Sequence, residues 1–331
     1  MLLDCEGVTA SLPARGGMLR ILDDVRFRLA RRSTLGIVGE SGAGKSMLIK
    51  AIMGLAPSAI RVEGRIALDG TELVGMPEAA KRALLGRKVG MVFQNPMTSL
   101  NPFVRVGRQI EEGSRRHLGL GRAEARARAI DLLAQVGIPD PAECHGEFPH
   151  RFSGGMKQRI MIATALACRP DLLIADEATT ALDVTVQKDI LDLLQAIQRE
   201  RRMSMILVTH NLAVVANRTD EILVLYGGRV VEHGPTALVF AAPRHRYTEA
   251  LLSAVPRMDQ PAHTRLRTIP GPPPDLHDRA GGCPFAPRCP AAEARCRVAM
   301  PPMTLEADGR HGFACFVPVE APRPALAEAT Q

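Results

Sequence analysis

The sequence predicts an α/β fold whose strands and helices alternate around a phosphate-binding loop. Three observations carry this. First, a strand ending at Val38 runs into Gly39-Glu40-Ser41-Gly42-Ala43-Gly44-Lys45-Ser46, and "MLIKAIMGL" follows at helical spacing. Second, "LLIAD" and "MSMILVTH" are short continuous apolar runs, the texture of strands covered on both faces. Third, an Arg-rich stretch over 106–136 places Ile110, Ile130, Leu133 and Val136 at near-helical intervals.

The elements follow in order. Residues 1–38 alternate apolar and polar over short runs and read as strands, the last ending at Val38, and an N-terminal antiparallel β subdomain is part of the expected fold. "GRIALDG" and "KVGMVFQ" read as further strands, and a helical subdomain is expected over about 96–165. "DEILVLYGGRVVEHG" reads as a hairpin turning at Gly227-Gly228. After about residue 235 the texture changes. "IPGPPPDLHDRAGG" is a Pro/Gly-rich linker, a cysteine segment follows, and a Pro/Ala tail reads as disordered. The expected division is a nucleotide-binding domain over 1–235 and a small extension over 236–331.

Composition sets the limits. A chain of 331 residues suggests about two domains. Trp is absent and aromatics make up 3%, so the core is expected to be aliphatic. A net charge of +7 permits a nucleic-acid or anionic-membrane partner, but scattered arginines on a solvated surface explain it more simply. "MLLDCEGVTA" has no basic region followed by an apolar stretch, and no run approaches the roughly 18 apolar residues of a membrane span. A cytoplasmic setting is expected.

The loop carries the chemistry. Glycines let backbone N–H groups curl around phosphate oxygens, and the following helix adds its positive end. Lys45 can reach the β- and γ-phosphates, and the Ser46 hydroxyl can bind Mg²⁺. The other half of such a site is an acid ending an apolar strand. Asp176 fits the magnesium shell, and Glu177 is the candidate base for the attacking water. A second glycine cluster, Ser153-Gly154-Gly155 with Met156, opens a helix and makes another anion site. One chain has no evident use for two γ-phosphate sites.

Four of the seven cysteines fall after residue 280: Cys283, Cys289, Cys296 and Cys315, with intervals of five, six and eighteen residues. Structural zinc sites usually open with a knuckle of two to four residues, and none is present. Four thiolates could also hold a [4Fe–4S] cluster. Spacing alone leaves zinc, a cluster and free thiols open. Cys5, Cys144 and Cys168 are isolated and read as small apolar residues.

The order "GESGAGKS", "FQNP", "FSGGMKQR", "LLIADEATTALD" and "VTHN" resembles an ATP-binding-cassette (ABC) ATPase. "QNPMTSLNP", "PRHRYTEALLSAVP" and "IPGPPPDL…GCPFAPRCP" narrow the resemblance to ATPase subunits of bacterial oligopeptide and dipeptide importers, a close branch of which imports nickel. The resemblance spans about residues 2–316. It implies two cassettes sandwiching two ATP molecules, each held by one subunit's phosphate loop and the other's SGG segment. It implies that Gln94 senses Mg²⁺ and that His210 contacts the γ-phosphate. It places Asp183 at the dimer interface and Ser153, Gly154, Gly155 and Met156 on the partner's ATP. It further implies a [4Fe–4S] cluster on the four cysteines, with Zn²⁺ as the alternative. The implied partners are two transmembrane permease subunits, a second ATPase subunit and an external substrate-binding protein, at the cytoplasmic face of the bacterial inner membrane, with no nucleic acid.

The pattern has departures. Met156 stands where the superfamily often has Gln, and Asn95 and Asn211 stand where an acid is common. Such ATPases usually stack an aromatic ring on adenine. Leu12 occupies that place here and Phe27 belongs to the next strand, so adenine is expected to be held weakly. A soluble DNA-repair or chromosome ATPase is the competing reading. Such proteins usually carry long inserts between the phosphate loop and the SGG segment, and this chain has room only for a small domain.

Overall fold

The computed structural model describes residues 1–14, 17–178, 183–255, 268–275 and 281–320. The expected disordered tail beyond residue 320 lies outside these residues.

Two sheets form the frame. The chain opens with β1 (Leu3–Ala14) and β2 (Gly17–Leu29), then β3 (Thr34–Val38) and α1 (Lys45–Ile52). β4 (Arg61–Leu68) and the short β5 (Thr71–Glu72) return to the first sheet, whose order is β2-β1-β4-β5, antiparallel throughout. α2 (Glu78–Lys88) leads into β6 (Val89–Val92).

The helical layer comes next: α3 (Pro96–Ser99), α4 (Val106–Leu118), α5 (Arg122–Gln135), α6 (Pro141–Cys144) and α7 (Gly154–Ala165). These helices lie within the stretch 96–165. β7 (Leu172–Asp176), α8 (Val184–Arg201), β8 (Ser204–Thr209), α9 (Leu212–Val215), β9 (Glu221–Tyr226) and β10 (Arg229–Pro235) complete the frame. β9 and β10 form the expected hairpin, with Gly227 and Gly228 both at positive φ as a tight primed turn requires.

After β10 come α10 (Thr236–Ala241), α11 (Arg246–Ser253), α12 (Ala294–Val298), β11 (Thr304–Leu305) and β12 (Gly312–Phe313). The second sheet runs β11-β12-β10-β9-β3-β8-β7-β6. Its centre is parallel: β9 and β8 flank β3, and β7 and β6 extend it. The extension therefore contributes strands to the main sheet.

The apolar runs are explained by burial on two faces. Ile37, Ile174, Ile206, Val208, Leu223 and Leu225 enter the core shared with the antiparallel sheet and α1. Their strand neighbours Val38, Leu173, Ala175, Leu207 and Val224 enter the core shared with the helical layer. A period of two with both faces buried reads as an unbroken apolar run. Burying one such side chain is worth roughly 1.5–3 kcal/mol. Among the described residues, no helix is long and apolar enough to cross a membrane.

The extension docks through buried charge. Glu232 on β10 is 0% exposed. Its carboxylate accepts from the backbone N–H of Arg244 at 2.6 Å and of His245 at 2.9 Å, and from His311 Nε2 at 2.7 Å. Beside it β12 pairs with β10, setting Glu232 opposite Phe313 and His233 opposite Gly312.

Candidate functional site

The phosphate loop joins β3 to α1, at the end of the sheet where the parallel strands finish. Gly39, Gly42 and Gly44 all hold positive φ. At Gly39 a Cβ would meet the Leu225 carbonyl oxygen at 2.3 Å, so only glycine fits beneath the hairpin. The Gly227-Gly228 turn rests on the loop: Gly228 N–H donates to the Ala43 carbonyl at 3.0 Å. Lys45 is buried and curls inward, donating to the carbonyls of Gly39 at 2.7 Å and Glu40 at 3.0 Å. Burial pulls its ammonium pKa down, and the nearby Glu177 and Asp176 charges oppose that.

Glu177 is the hub. It follows β7 with φ +46, a left-handed conformation rare for this residue type. Gln94 Nε2 donates to its Oε2 at 2.7 Å, His210 Nδ1 lies 3.3 Å from its Oε1, and Lys45 Nζ lies 3.8 Å from the same oxygen. Three loops, following β6, β7 and β8, thus bring Gln94, Glu177 and His210 together around Lys45. Asp176 sits one residue earlier. Burial raises its carboxyl pKa, Glu177 repulsion adds to that, and a hydrogen bond from Ser46 opposes it. Its Oδ1 is buried with no hydrogen-bond partner. An orphaned carboxylate oxygen beside Ser46 suits a divalent cation, and Ser46, Asp176 and Gln94 are the groups that would hold Mg²⁺.

Ser153 caps α7, its hydroxyl accepting from Met156 N–H at 3.4 Å. Asp183 caps α8, accepting from Val186 N–H at 2.9 Å. Both caps are exposed, and a Cβ on Gly155 would lie 3.0 Å from Val186 Cγ1. The two turns are therefore neighbours on one surface. Residues 179–182, between Glu177 and Asp183, lie outside the described residues. Asn95 and Asn211 cap α3 and α9, accepting from Met97 and Ala213 N–H groups. An amide caps as well as a carboxylate, which accounts for the neutral residue at both positions. Leu12 lies on β1 opposite Leu19, and Phe27 packs into the core beneath.

The four cysteines line one small cavity, together with His245, Phe285 and Phe316. All four are free thiols. Burial pushes Cys283 up to about 11 and raises Cys289 and Cys315. Neighbouring backbone groups oppose that: Phe285 and Ala286 beside Cys283, Ala291 beside Cys289, and Val317 and Arg246 beside Cys315. Among the described residues, no group of three or more His, Cys, Asp or Glu is drawn together tightly enough to hold a metal ion. The closed metal site expected from the sequence is not displayed; what is displayed is a shared thiol-lined cavity.

Sequence reasoning missed a set of residues behind the loop. Arg288, between Cys283 and Cys289, forms a two-pronged bond to Glu40, and Tyr247 Oη accepts from Glu40 N–H. The available signals were an arginine inside the cysteine segment and the position of the chain's only two tyrosines, Tyr226 and Tyr247.

Comparison with known proteins places these features. The ABC transporter family pattern matches residues 22–180, and the pattern for the C-terminal region of oligopeptide/dipeptide transporters matches residues 231–296. The dipeptide transport ATP-binding protein DppD of Escherichia coli (strain K12) is 46% identical over 328 residues, covering 98% of this chain and 99% of that protein. The oligopeptide transport ATP-binding protein OppD of Salmonella typhimurium is 45% identical over 320 residues, covering 97% and 95%. Among solved structures, a dimeric post-hydrolysis state of the ATP-binding cassette MJ0796 bound to ADP and Pi superposes with a TM-score of 0.64 at 25% identity, covering 71% of this chain and 99% of that one. CbiO1 of Clostridium perfringens, part of the ABC transporter complex cbiONQ, gives 0.62 at 29% identity, covering 72% and 90%.

Proposed function

This chain belongs to the ABC transporter family, among the ATP-binding subunits of peptide importers, and from that membership we propose how its residues drive uptake. It is the ATP-hydrolysing subunit of a dipeptide/oligopeptide importer. The observation that carries the mechanism is the position of Glu177, bonded to Gln94 and set between Lys45 and His210.

ATP enters with its phosphates in the loop over Gly39–Ser46. The β- and γ-phosphates compete with the Gly39 and Glu40 carbonyls for Lys45. Ser46, Asp176 and Gln94 would hold Mg²⁺, which when bound would neutralise charge on the phosphate oxygens. The Glu177 carboxylate takes a proton from water as the water oxygen bonds to the γ-phosphorus and the bond to the β-phosphate oxygen breaks. ADP and phosphate result. His210 orients against the γ-phosphate. Ser153, Gly154, Gly155 and Met156 contact ATP held by a second, similar ATPase subunit, with Asp183 at the same interface. The adjacency of the Ser153 and Asp183 turns on one exposed surface supports this.

Closure of the pair drives two permease subunits, and hydrolysis resets them. Phe103 is 89% exposed and Met97 62%, just after Gln94. Exposed apolar side chains there suit a short cytoplasmic helix of a permease. The subunit then works at the cytoplasmic face of the bacterial inner membrane, supplied by an external binding protein. We assign residues 1–235 to the nucleotide-binding domain and 236–331 to the extension.

For the four cysteines that share the cavity we infer a [4Fe–4S] cluster, with Zn²⁺ as the alternative. A tetrahedral zinc binds thiolates at about 2.3 Å and crowds them together. A cubane spreads its ligands, and N–H donors to sulfur tune it. The convergence of Cys283, Cys289 and Cys315 on one cavity supports the cluster, with Cys296 as fourth ligand.

The test is reconstitution with the native permease, partner ATPase and binding protein in vesicles. ATP-dependent accumulation of a labelled dipeptide is expected. DNA-stimulated ATPase activity without uptake would overturn the reading.

A further inference from the structure

Both tyrosines of this chain, and one buried arginine, converge on a single residue of the phosphate loop. Arg288 Nη1 donates to Glu40 Oε2 at 2.6 Å and to Tyr226 Oη at 3.1 Å. Its Nη2 donates to Glu40 Oε1 at 3.0 Å, and its Nε to the Pro270 carbonyl at 2.8 Å. Arg288 is only 8% exposed. The backbone of Glu40 is held as well: its N–H donates to Tyr247 Oη at 2.8 Å. Beneath these bonds Tyr226, Tyr247 and Phe285 form a ring cluster with centroids 4.3–5.4 Å apart.

We propose that Arg288 and Tyr247 are positioning residues for the nucleotide site, by which the C-terminal extension fixes the phosphate loop through Glu40. The proposal rests on the reading of that loop as the ATP site. A brace that only docked the extension could end on any acid of the cassette surface. This one ends on the second residue of the loop and holds both its side chain and its backbone. Glu40 is also the residue whose carbonyl binds Lys45. A shift of Glu40 therefore moves the Lys45 ammonium and the loop N–H groups that face phosphate.

Rigidity on the other side supports it. Arg288 ends a 3₁₀ turn, Ala286–Arg288, that runs between Cys283 and Cys289. Phe285, 1% exposed, locks that turn onto both tyrosine rings. The forked guanidinium fixes direction as well as distance, which a lysine ammonium does not.

The chain supplies its own probe. It has no Trp, and its two Tyr residues both lie in this joint. Intrinsic tyrosine emission therefore reports on the contact between extension and loop. The experiment titrates the full-length protein with a non-hydrolysable ATP analogue and follows both that emission and the calorimetric Kd. In the wild type, nucleotide should change the emission. R288Q and E40Q should each raise Kd about tenfold, the low end of losing a charged hydrogen bond. The double variant should bind no worse than the weaker single one, and R288K should recover part of the loss.

Unchanged emission in the wild type would overturn the proposal. So would losses that multiply in the double variant. A lowered melting temperature for R288Q with Kd within twofold of wild type would reduce Arg288 to a docking brace. If R288Q does not fold, E40Q and the wild-type emission decide. A wild type that binds no nucleotide would instead sink the ATP-site reading.

Discussion

Replacing Glu177 by Gln tests the catalytic reading most directly. The change keeps the side-chain shape and leaves a carbonyl oxygen that can still accept the Gln94 hydrogen bond, now 2.7 Å. It removes the base, which is worth roughly 10²–10⁴-fold in rate. It also removes a negative charge 3.8 Å from Lys45 Nζ, between side chains only 5% and 16% exposed. At an effective dielectric of about 20, that attraction is about 4 kcal/mol. Phosphate must displace this attraction when ATP binds, so its loss should not weaken ATP binding. The expected result is a kcat lowered at least 100-fold, with ATP affinity equal to wild type or tighter. Steady-state phosphate release and equilibrium nucleotide titration measure the two quantities. A kcat within tenfold of wild type would refute the assignment of Glu177 as base. A tenfold loss of ATP affinity would refute the electrostatic argument.

The remaining predictions concern other parts of the chain. His245 is fully buried with its pKa lowered from 6.5 to about 4, and its Nδ1 accepts from Tyr247 N–H. Its contribution is complete above pH 6.5 and lost as pH falls towards 4, because the unfolded chain takes up the proton first. Urea unfolding should show about 2 kcal/mol less stability at pH 5 than at pH 8 from this group, a loss that H245N should not show. Equal losses in both proteins would refute the account. Purified without oxygen, the protein should carry about four irons and four sulfides and absorb in the visible. C289S should lose both; one zinc per chain instead would make the segment a structural staple. With Leu12 in place of a ring, ATP and GTP should bind within about tenfold of each other in competition titrations, affinity resting on the phosphates. A larger preference would mean that another group reads the base.

Local chemistry was the legible part. The phosphate loop, the acid pair Asp176-Glu177 and the SGG turn are each short and contiguous, and each sits where strand or helix patterning ends. The buried strands announced themselves because both faces are covered. The Gly227-Gly228 hairpin was readable from its turn residues. What could not be read was pairing over distance. Arg288 and Glu40 are 248 positions apart, and no periodicity links them. β11 and β12 are two residues each, too short to show a pattern, so their place in the main sheet was invisible. The cysteines showed the reverse difficulty. Their types and intervals were plain, but whether they converge on a point or surround a cavity depends on the backbone between them.

The pairing of β12 on β10 has a practical consequence for anyone shortening the chain. A protein cut after Pro235 would keep every nucleotide-binding motif and look like a complete cassette. It would also leave the N–H and C=O groups that β10 offers to β12 facing water, a template on which a second copy could add its own strand. Glu232 would lose its three donors at once. Such a fragment should self-associate or precipitate, and failure to bind ATP in that state would say nothing about the loop. Shortened forms need to reach at least Val319, whose carbonyl accepts from Arg244.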